Sequence, residues 1–275
     1  MSNAIRIAHG AFGRVALLDM DRGLVRHTHP HCHVLLKVSG ADTAFAVGDG
    51  TASLTDEQAV LVNAWTPHAY VHRPQAERTM ILALYIEPEW LSLFRGNWAA
   101  SGGPGFFRAA AGAINPVITA VTDELAQAMM AEPDSAHADL LGRLMVALIE
   151  RFTDWRTVSP AQRDADWRVR RAIDRLRENH GVTGAMGRFA RDCGLSRANF
   201  FRLFADATGM APCMFANMLR LEHAVREIVS GERTLGEVSD ELGFSVPAHF
   251  TRFFCTHTGA TPSQFRQVAR RLPVR

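Results

Sequence analysis

An internal repeat near the C-terminus constrains this chain more than any other feature. "CGLSRANFFRLFADATGMAPCMF", from Cys193, lines up with "LGFSVPAHFTRFFCTHTGATPSQF", from Leu242. Gly194 matches Gly243 and Ser196 matches Ser245. Further on, Arg202 matches Arg252, Phe204 Phe254, Gly209 Gly259 and Pro212 Pro262. The offset is 49 residues at the start and 50 afterwards, a one-residue adjustment. In each copy a short apolar-faced segment ("GRFARDC", "LGEVSDEL") runs into a glycine, the residue that most readily closes a helix in the left-handed conformation. A serine able to N-cap the next helix follows. That helix then buries Phe200, Leu203 and Phe204, or Phe250, Phe253 and Phe254. Each copy therefore reads as a helix-turn-helix, with a bracing helix and a second one able to lie in a DNA major groove. A helix predicted over Pro212 to Ser230 joins them, its apolar stripe carrying Phe215, Met218, Leu219, Val225, Ile228 and Val229.

Charge follows the same division. Residues 1–166 hold 13 basic against 18 acidic side chains; residues 167–275 hold 17 against 10, all 17 of them arginine. An arginine-rich genome explains arginine over lysine, but not why one half is basic and the other acidic. A basic half of this kind suits a polyanionic partner.

The segments "FARDCGLSRANFFRLFADATGMAP", "RLEHA" and "EVSDELGFSVPAHFTRFFCTHTGATPSQFR" closely resemble the DNA-binding domain of AraC/XylS-type transcription regulators, over residues 168–271. The resemblance implies two reading helices entering successive major grooves on one face of promoter DNA, about 34 Å apart. Carried over by position, the DNA-facing residues are Arg197, Ala198, Asn199, Phe201 and Arg202 in the first helix. In the second they are Val246, Pro247, Ala248, His249, Thr251 and Arg252. Arg202 and Arg252 are the prime groove contacts, because a guanidinium pairs bidentately with guanine; phosphate contact is the alternative. Members of this group usually carry a basic residue after the last helix phenylalanine, where this chain has Cys255.

The N-terminal half has another texture. "VALLDM", "HVLLKV", "TAFAV", "AVLVNA", "AYVH" and "MILALYI" read as short strands separated by turn signals, which predicts a small antiparallel barrel or sandwich. "EPEWLSLF" predicts a helix start and "RGNWAASGGPG" a loop. Two helices follow, the first opened by Pro116. The second bears Leu140, Leu141, Leu144, Met145, Leu148, Ile149 and Phe152 on one face, which would either close the barrel or form a dimer seam.

Within the strands, "HTHPHCH" sets His27, His29, His31 and His33 on alternate positions, and His68 and His72 come later. This region resembles a cupin, with "HTH" and "HVLLKVSG" as a first motif and "WTPHAY" as a second. The enzyme-type cupin motif also needs a glutamate after the first histidine pair, where His33 or Val34 stands here. The candidate effector pocket comprises His27, His29, His31, His33, Phe45, Trp65, His68 and Tyr70, with Leu84 a further lining candidate. Candidate metal ligands are His27, His29, His33 and His68, an all-imidazole set suited to zinc or nickel; a polar pocket wall without metal is the alternative.

These readings predict an α+β chain. Residues 1–95 form a cupin-like antiparallel barrel, 96–157 a helical dimerisation or support segment, 158–166 a linker, and 167–275 an all-α double helix-turn-helix domain. The expected function is that of a transcription regulator, not an enzyme, sensing a small effector and binding double-stranded promoter DNA. It is expected as a homodimer that engages the transcription machinery. Two alternatives stay open: a metal-dependent cupin enzyme fused to a DNA-binding domain, and a regulator that senses metal itself. The opening residues lack the order of a secretion signal, no apolar run spans a bilayer, and the four cysteines form no C-x-x-C pair. All three fit a cytoplasmic protein without membrane contact.

Overall fold

The computed structural model describes residues 3–21, 23–71, 78–131, 137–158, 166–181, 186–208, 210–258 and 260–271. Gly209, Gly259, His72 and nearly all of the expected linker lie outside the described residues. The chain divides into two compact units, residues 1–161 with 254–275, and residues 162–253. The last two elements of the expected 167–275 domain thus group with the sheet-bearing unit.

That unit is built on β1 (Asn3–Gly10), β2 (Gly13–Met20), β3 (Cys32–Gly40), β4 (Thr43–Val47), β5 (Gly50–Leu54), β6 (Gln58–Val62), β7 (His68–Val71) and β8 (Thr79–Ile86). Helix α1 (Pro88–Phe94), strand β9 (Ala111–Ala113) and helices α2 (Pro116–Met130) and α3 (His137–Phe152) follow. From the far end of the chain come α10 (Pro262–Val268) and β10 (Ala269–Arg271). The strands make a seven-stranded sheet in the order β10-β1-β2-β8-β3-β6-β9 and a three-stranded sheet in the order β5-β4-β7. All pairings are antiparallel except β1 with β10. The expected barrel is therefore two sheets. The Thr55–Gln58 turn carries the chain from one to the other, and a bridge between His27 and His68 joins β7 to the segment before β3.

Strand alternation sorts the side chains of the large sheet into two layers. Cys32, Val34 and Leu36 of β3, and Leu82, Leu84 and Ile86 of β8, belong to one core with the buried faces of α2 and α3. Leu141, Leu144, Met145, Leu148 and Ile149 are fully buried there, each gaining roughly 1.5–3 kcal/mol from leaving water. The apolar face of α3 thus closes the chain's own core and is not available as a dimer seam. Leu84 faces these helices, which removes it from the candidate pocket lining. The opposite parity, His33 and Leu35 on β3 and Tyr85 on β8, faces the histidine side. The stretch expected as a loop winds into a 3₁₀ turn over Gly96–Gly102, because Trp98 and Ala100 bury and the Trp98 indole donates to Trp155 O at 3.2 Å.

The second unit is helical: α4 (Trp167–Glu178), α5 (Met186–Asp192), α6 (Arg197–Thr208), α7 (Pro212–Ser230) and α8 (Leu235–Glu241), leading into α9 (Pro247–Thr258). Asp166 caps α4, accepting from Arg168 N at 2.9 Å, and a Thr234–Glu237 capping box starts α8. Helix α7 ends at Gly231, whose φ of 70° is left-handed. Among the described residues no helix is long and apolar enough to cross a membrane.

Candidate nucleic-acid interface and histidine site

The sequence repeat is also a repeat of geometry. Gly194 and Gly243 both adopt φ of 72°. Leu195 N donates to Ala190 O and Phe244 N to Ser239 O, each at 3.0 Å. Phe204 packs edge-on against Phe215 with ring centroids 5.2 Å apart, and Phe254 against Phe265 at 5.3 Å. Thr208 Oγ1 donates to Phe204 O at 2.7 Å, as Thr258 Oγ1 does to Phe254 O at 2.9 Å. One equivalence fails. Helix α6 starts directly after Ser196, whose Oγ accepts from Asn199 N at 3.3 Å, but α9 starts at Pro247, so Val246 and not Ser245 precedes it. The extra residue behind the change of offset sits here, and proline favours the first helical position because it has no N–H to satisfy.

Both second helices turn their expected faces outward. Arg197, Ala198 and Arg202 of α6 are exposed, with Asn199 and Phe201 half-buried. Val246 and, in α9, Pro247, Ala248, His249, Thr251 and Arg252 are all exposed, while Phe200, Phe204, Phe250 and Phe254 are buried. Leu203 and Phe253 are only half-buried. The Arg202 guanidinium donates to Asp206 Oδ2 at 3.1 Å and Asn199 Oδ1 at 3.0 Å, exposed contacts worth under about 1 kcal/mol. Arg220 of the "RLEHA" segment has a structural task. Its guanidinium donates twice to Leu242 O and stacks over Phe244 at 4.1 Å, holding α7 to the end of α8.

A family model described as a helix-turn-helix domain matches residues 189–268. The chain is 29% identical over 91 residues to the virulence regulon transcriptional activator VirF of Yersinia enterocolitica, covering 33% of this chain and 34% of VirF. With the HTH-type transcriptional activator RhaR of Enterobacter it shares 24% identity over 253 residues, 89% of this chain and 88% of RhaR. Residues 189–268 thus hold a helix-turn-helix domain similar to that of transcriptional activators. The first of these curated relatives is thus spanned over only about a third of its length. Likeness in fold runs further. A singly substituted apo ToxT of Vibrio cholerae superposes with a TM-score of 0.62 at 10% identity, over 94% of this chain and 98% of ToxT. A ToxT structure with a bound unsaturated fatty acid gives 0.56 at 10% identity, over 93% and 95%. The helix-turn-helix domain is thus part of a chain whose fold is similar to that of ToxT.

In that N-terminal unit, "HTHPHCH" is not one strand. Regular pairing begins only at Cys32, and the chain bends at Pro30 and His31. Strict alternation of the four histidines therefore fails at Pro30. His31 turns to Glu87, with Nε2 to Oε1 at 3.0 Å. His27 and His29 meet His68 instead, with ring centroids 4.4 Å (His27–His68) and 4.9 Å (His29–His68) apart. One ring nitrogen from each of these three lies within 4.8 Å of the others. His33 stands alongside, 4.9 Å from His29 and 5.2 Å from His68, but outside that group of three. All five rings are buried.

Each ring of the cluster is oriented by a backbone carbonyl. Nδ1 of His27 meets Val25 O at 2.9 Å, that of His29 meets His31 O at 3.1 Å, that of His33 meets Leu84 O at 2.9 Å and that of His68 meets Thr66 O at 2.9 Å. A carbonyl only accepts, so Nδ1 carries the proton in each case and Nε2 the lone pair. Burial, reinforced by the neighbouring imidazoles, holds His29 and His68 well below the ordinary histidine range, and His33 is pushed down to about 3. These three rings are neutral at pH 7.

Of the other pocket candidates, Phe45 and Tyr70 share the buried inner face of the three-stranded sheet with His68, their rings 5.4 Å apart. Trp65 is half-buried at a left-handed turn (φ 65°), where its N–H donates to His29 O at 2.8 Å. Sequence reasoning missed three residues here. Tyr85 lies over His33 at 4.1 Å, Arg14 caps Tyr85 at 3.9 Å, and Glu87 engages His31. The strand register pairing His33 with Tyr85 brings them in, and that register has no local signature in the sequence.

Proposed function

We propose that this protein is a cytoplasmic transcription regulator that binds promoter DNA through α6 and α9 and senses a small effector in its N-terminal unit. The observation that carries the reading is the duplicated helix-turn-helix, with its matched turns and outward-facing reading residues in a basic half of the chain. In this reading Arg202 and Arg252 reach guanine edges in the major groove, and Asn199 and His249 are polar readers at matching positions. Arg197 and the helix N-termini contact phosphates and set the register. Phe201 and Thr251 supply apolar contact suited to a thymine methyl.

Two observations support the sensing half. The N-terminal unit holds a buried, pre-oriented polar cluster of a kind that folding alone does not require. ToxT, which shares the fold, has been solved with a small molecule bound. Effector binding would shift the populations of two arrangements that differ in DNA affinity. The wider reading includes a homodimer and contact with the transcription machinery. The regulator reading is preferred to an enzymatic one because the similar proteins VirF and RhaR are transcriptional activators.

Fluorescence anisotropy of the full chain on a duplex selected from a random pool tests DNA binding. The Arg202→Ala/Arg252→Ala double variant is expected to lose about 2–6 kcal/mol of specific binding, since each site contributes about 1–3 kcal/mol and the two are well separated. Wild-type affinity in that variant would overturn the docking assignment.

A further inference from the structure

The three-histidine cluster satisfies the requirements of a metal site more closely than those of a packed core. A neutral buried imidazole normally finds partners for both ring nitrogens. Here Nδ1 is taken by a carbonyl in His27, His29 and His68, and Nε2 of His29 and of His68 has no partner among the described residues. Carbonyl-anchored Nδ1–H with the other nitrogen left as a lone pair is the outer-shell arrangement that fixes tautomer and ring direction in metal-binding histidines. The donors are three imidazole nitrogens with no carboxylate, which suits a borderline divalent ion such as zinc, nickel or copper over magnesium or calcium. Metal–nitrogen bonds of about 2.0–2.1 Å place tetrahedral ligand nitrogens about 3.3 Å apart. From within 4.8 Å, the rings close by small side-chain rotations.

We infer that His27, His29 and His68 form a tris-imidazole site for a divalent transition-metal ion, which is the effector centre of the sensing unit. The inference rests on the reading of the N-terminal unit as the sensor and assigns its chemistry. His33, with its ring beside the group and Tyr85 over it, lines the site without being a ligand. The position matters mechanically. His68 opens β7 of the three-stranded sheet, while His27 and His29 lie on the segment leading into β3 of the large one. Across this seam run His27 N to His68 O at 2.9 Å and His68 N to His27 O at 2.8 Å. A bound ion adds a ligand staple to that bridge and so biases how firmly the two sheets close. Three protein ligands leave a fourth position for water or a Lewis-basic small molecule.

A second imidazole–carboxylate group, His180, His223 and Glu241, does not share this geometry. Its two rings stack 3.9 Å apart at 15°, and His223 Nε2 already faces Glu241 Oε1 at 3.3 Å.

The test uses the full chain stripped with chelator and titrated with Co²⁺, whose visible d–d bands report coordination, and with Zn²⁺ in competition. The expected result is one ion per chain, with bands of a four-coordinate nitrogen-rich site that Zn²⁺ displaces. His68→Ala and His29→Gln are expected to weaken binding at least about 100-fold, and His33→Gln by less than about 10-fold. Circular dichroism and thermal melting of the same samples check that the variants fold. If they do not, the wild-type stoichiometry and spectrum still decide. Absence of saturable Co²⁺ binding, or binding unaffected in the folded variants, overturns the metal site. A stripped protein that binds DNA but takes no ion sinks this inference and leaves the regulator reading standing. One that takes the ion but never binds DNA does the reverse. Equal DNA affinity and equal transcription from the selected site with and without Zn²⁺ would overturn the ion's role as effector.

Discussion

Two glycines show how the same backbone angle carries different weight. Gly194 (φ 72°) closes the turn of the first helix-turn-helix with open space around a notional Cβ, so Gly194→Ala costs only the left-handed strain, about 1–2 kcal/mol. Gly181 (φ 78°) ends α4 with its N–H donating to Leu176 O at 2.7 Å, and a Cβ there would meet Ala216 O of α7 at 2.0 Å. Strain and overpacking then add, and Gly181→Ala is expected to cost about 3 kcal/mol. Urea unfolding of the two variants should rank them in that order. Arg202 offers a second residue-scale prediction. Its free-state partner Asp206 competes with DNA and repels phosphate, so Asp206→Ala should tighten DNA binding a few-fold, with a gain that fades as salt rises. Weaker binding in Asp206→Ala would mean that the carboxylate positions Arg202 for the groove. At this scale the outward-facing residues of α6 were legible because helical periodicity separates Phe200 and Phe204 from their neighbours. Tyr85 and Glu87 were not, since what brings them to His33 and His31 is strand register and chain reversal between residues more than fifty apart.

Among the elements, the helices declared themselves more fully than the strands. Helix α7 was legible from Pro212 to Ser230 because a proline starts it, Gly231 ends it and an apolar stripe runs between. The leading strands were legible from alternation, whereas β9 is three residues long and carries no pattern of its own. Helix α9 shows where repeat logic overreaches, for Pro247 moved its start one residue past the serine that caps α6. The two uses left open for the α3 face are separated by burial, since Leu144 and Leu148 have no exposed surface to offer a second chain. Leu144→Ala should therefore destabilise the sheet-bearing unit by about 2–5 kcal/mol, through lost burial and the cavity left behind. Below its melting transition the variant should keep wild-type DNA affinity. Light scattering on the same variant supplies the check: an altered oligomeric state with unaltered stability would restore the face as a seam. At the start of α8, Thr234→Ala removes the side-chain half of the capping box and is expected to cost about 1 kcal/mol.

For the whole molecule, the division of labour between the halves was visible in charge before any fold was considered. Near-neutrality of the complete chain hides a basic helical half and an acidic sheet-bearing one, and the former carries the repeated helix-turn-helix unit. What composition could not show is that α10 and β10, read as the end of the DNA-binding domain, group with the large sheet through the β1–β10 ladder. Backbone pairing between segments some 260 residues apart leaves no trace in either segment alone. In the proposed function, the two matched helices read one stretch of DNA together. Selection of duplexes from a random pool by the full chain, followed by footprinting on the enriched sequence, tests it most directly. The expected result is a bipartite site whose half-sites lie about 10–10.5 base pairs apart, protected on one face of the duplex. Arg202→Ala and Arg252→Ala should each relax a different half. No enrichment over the starting pool, or a single half-site indifferent to one of the two arginines, would contradict it.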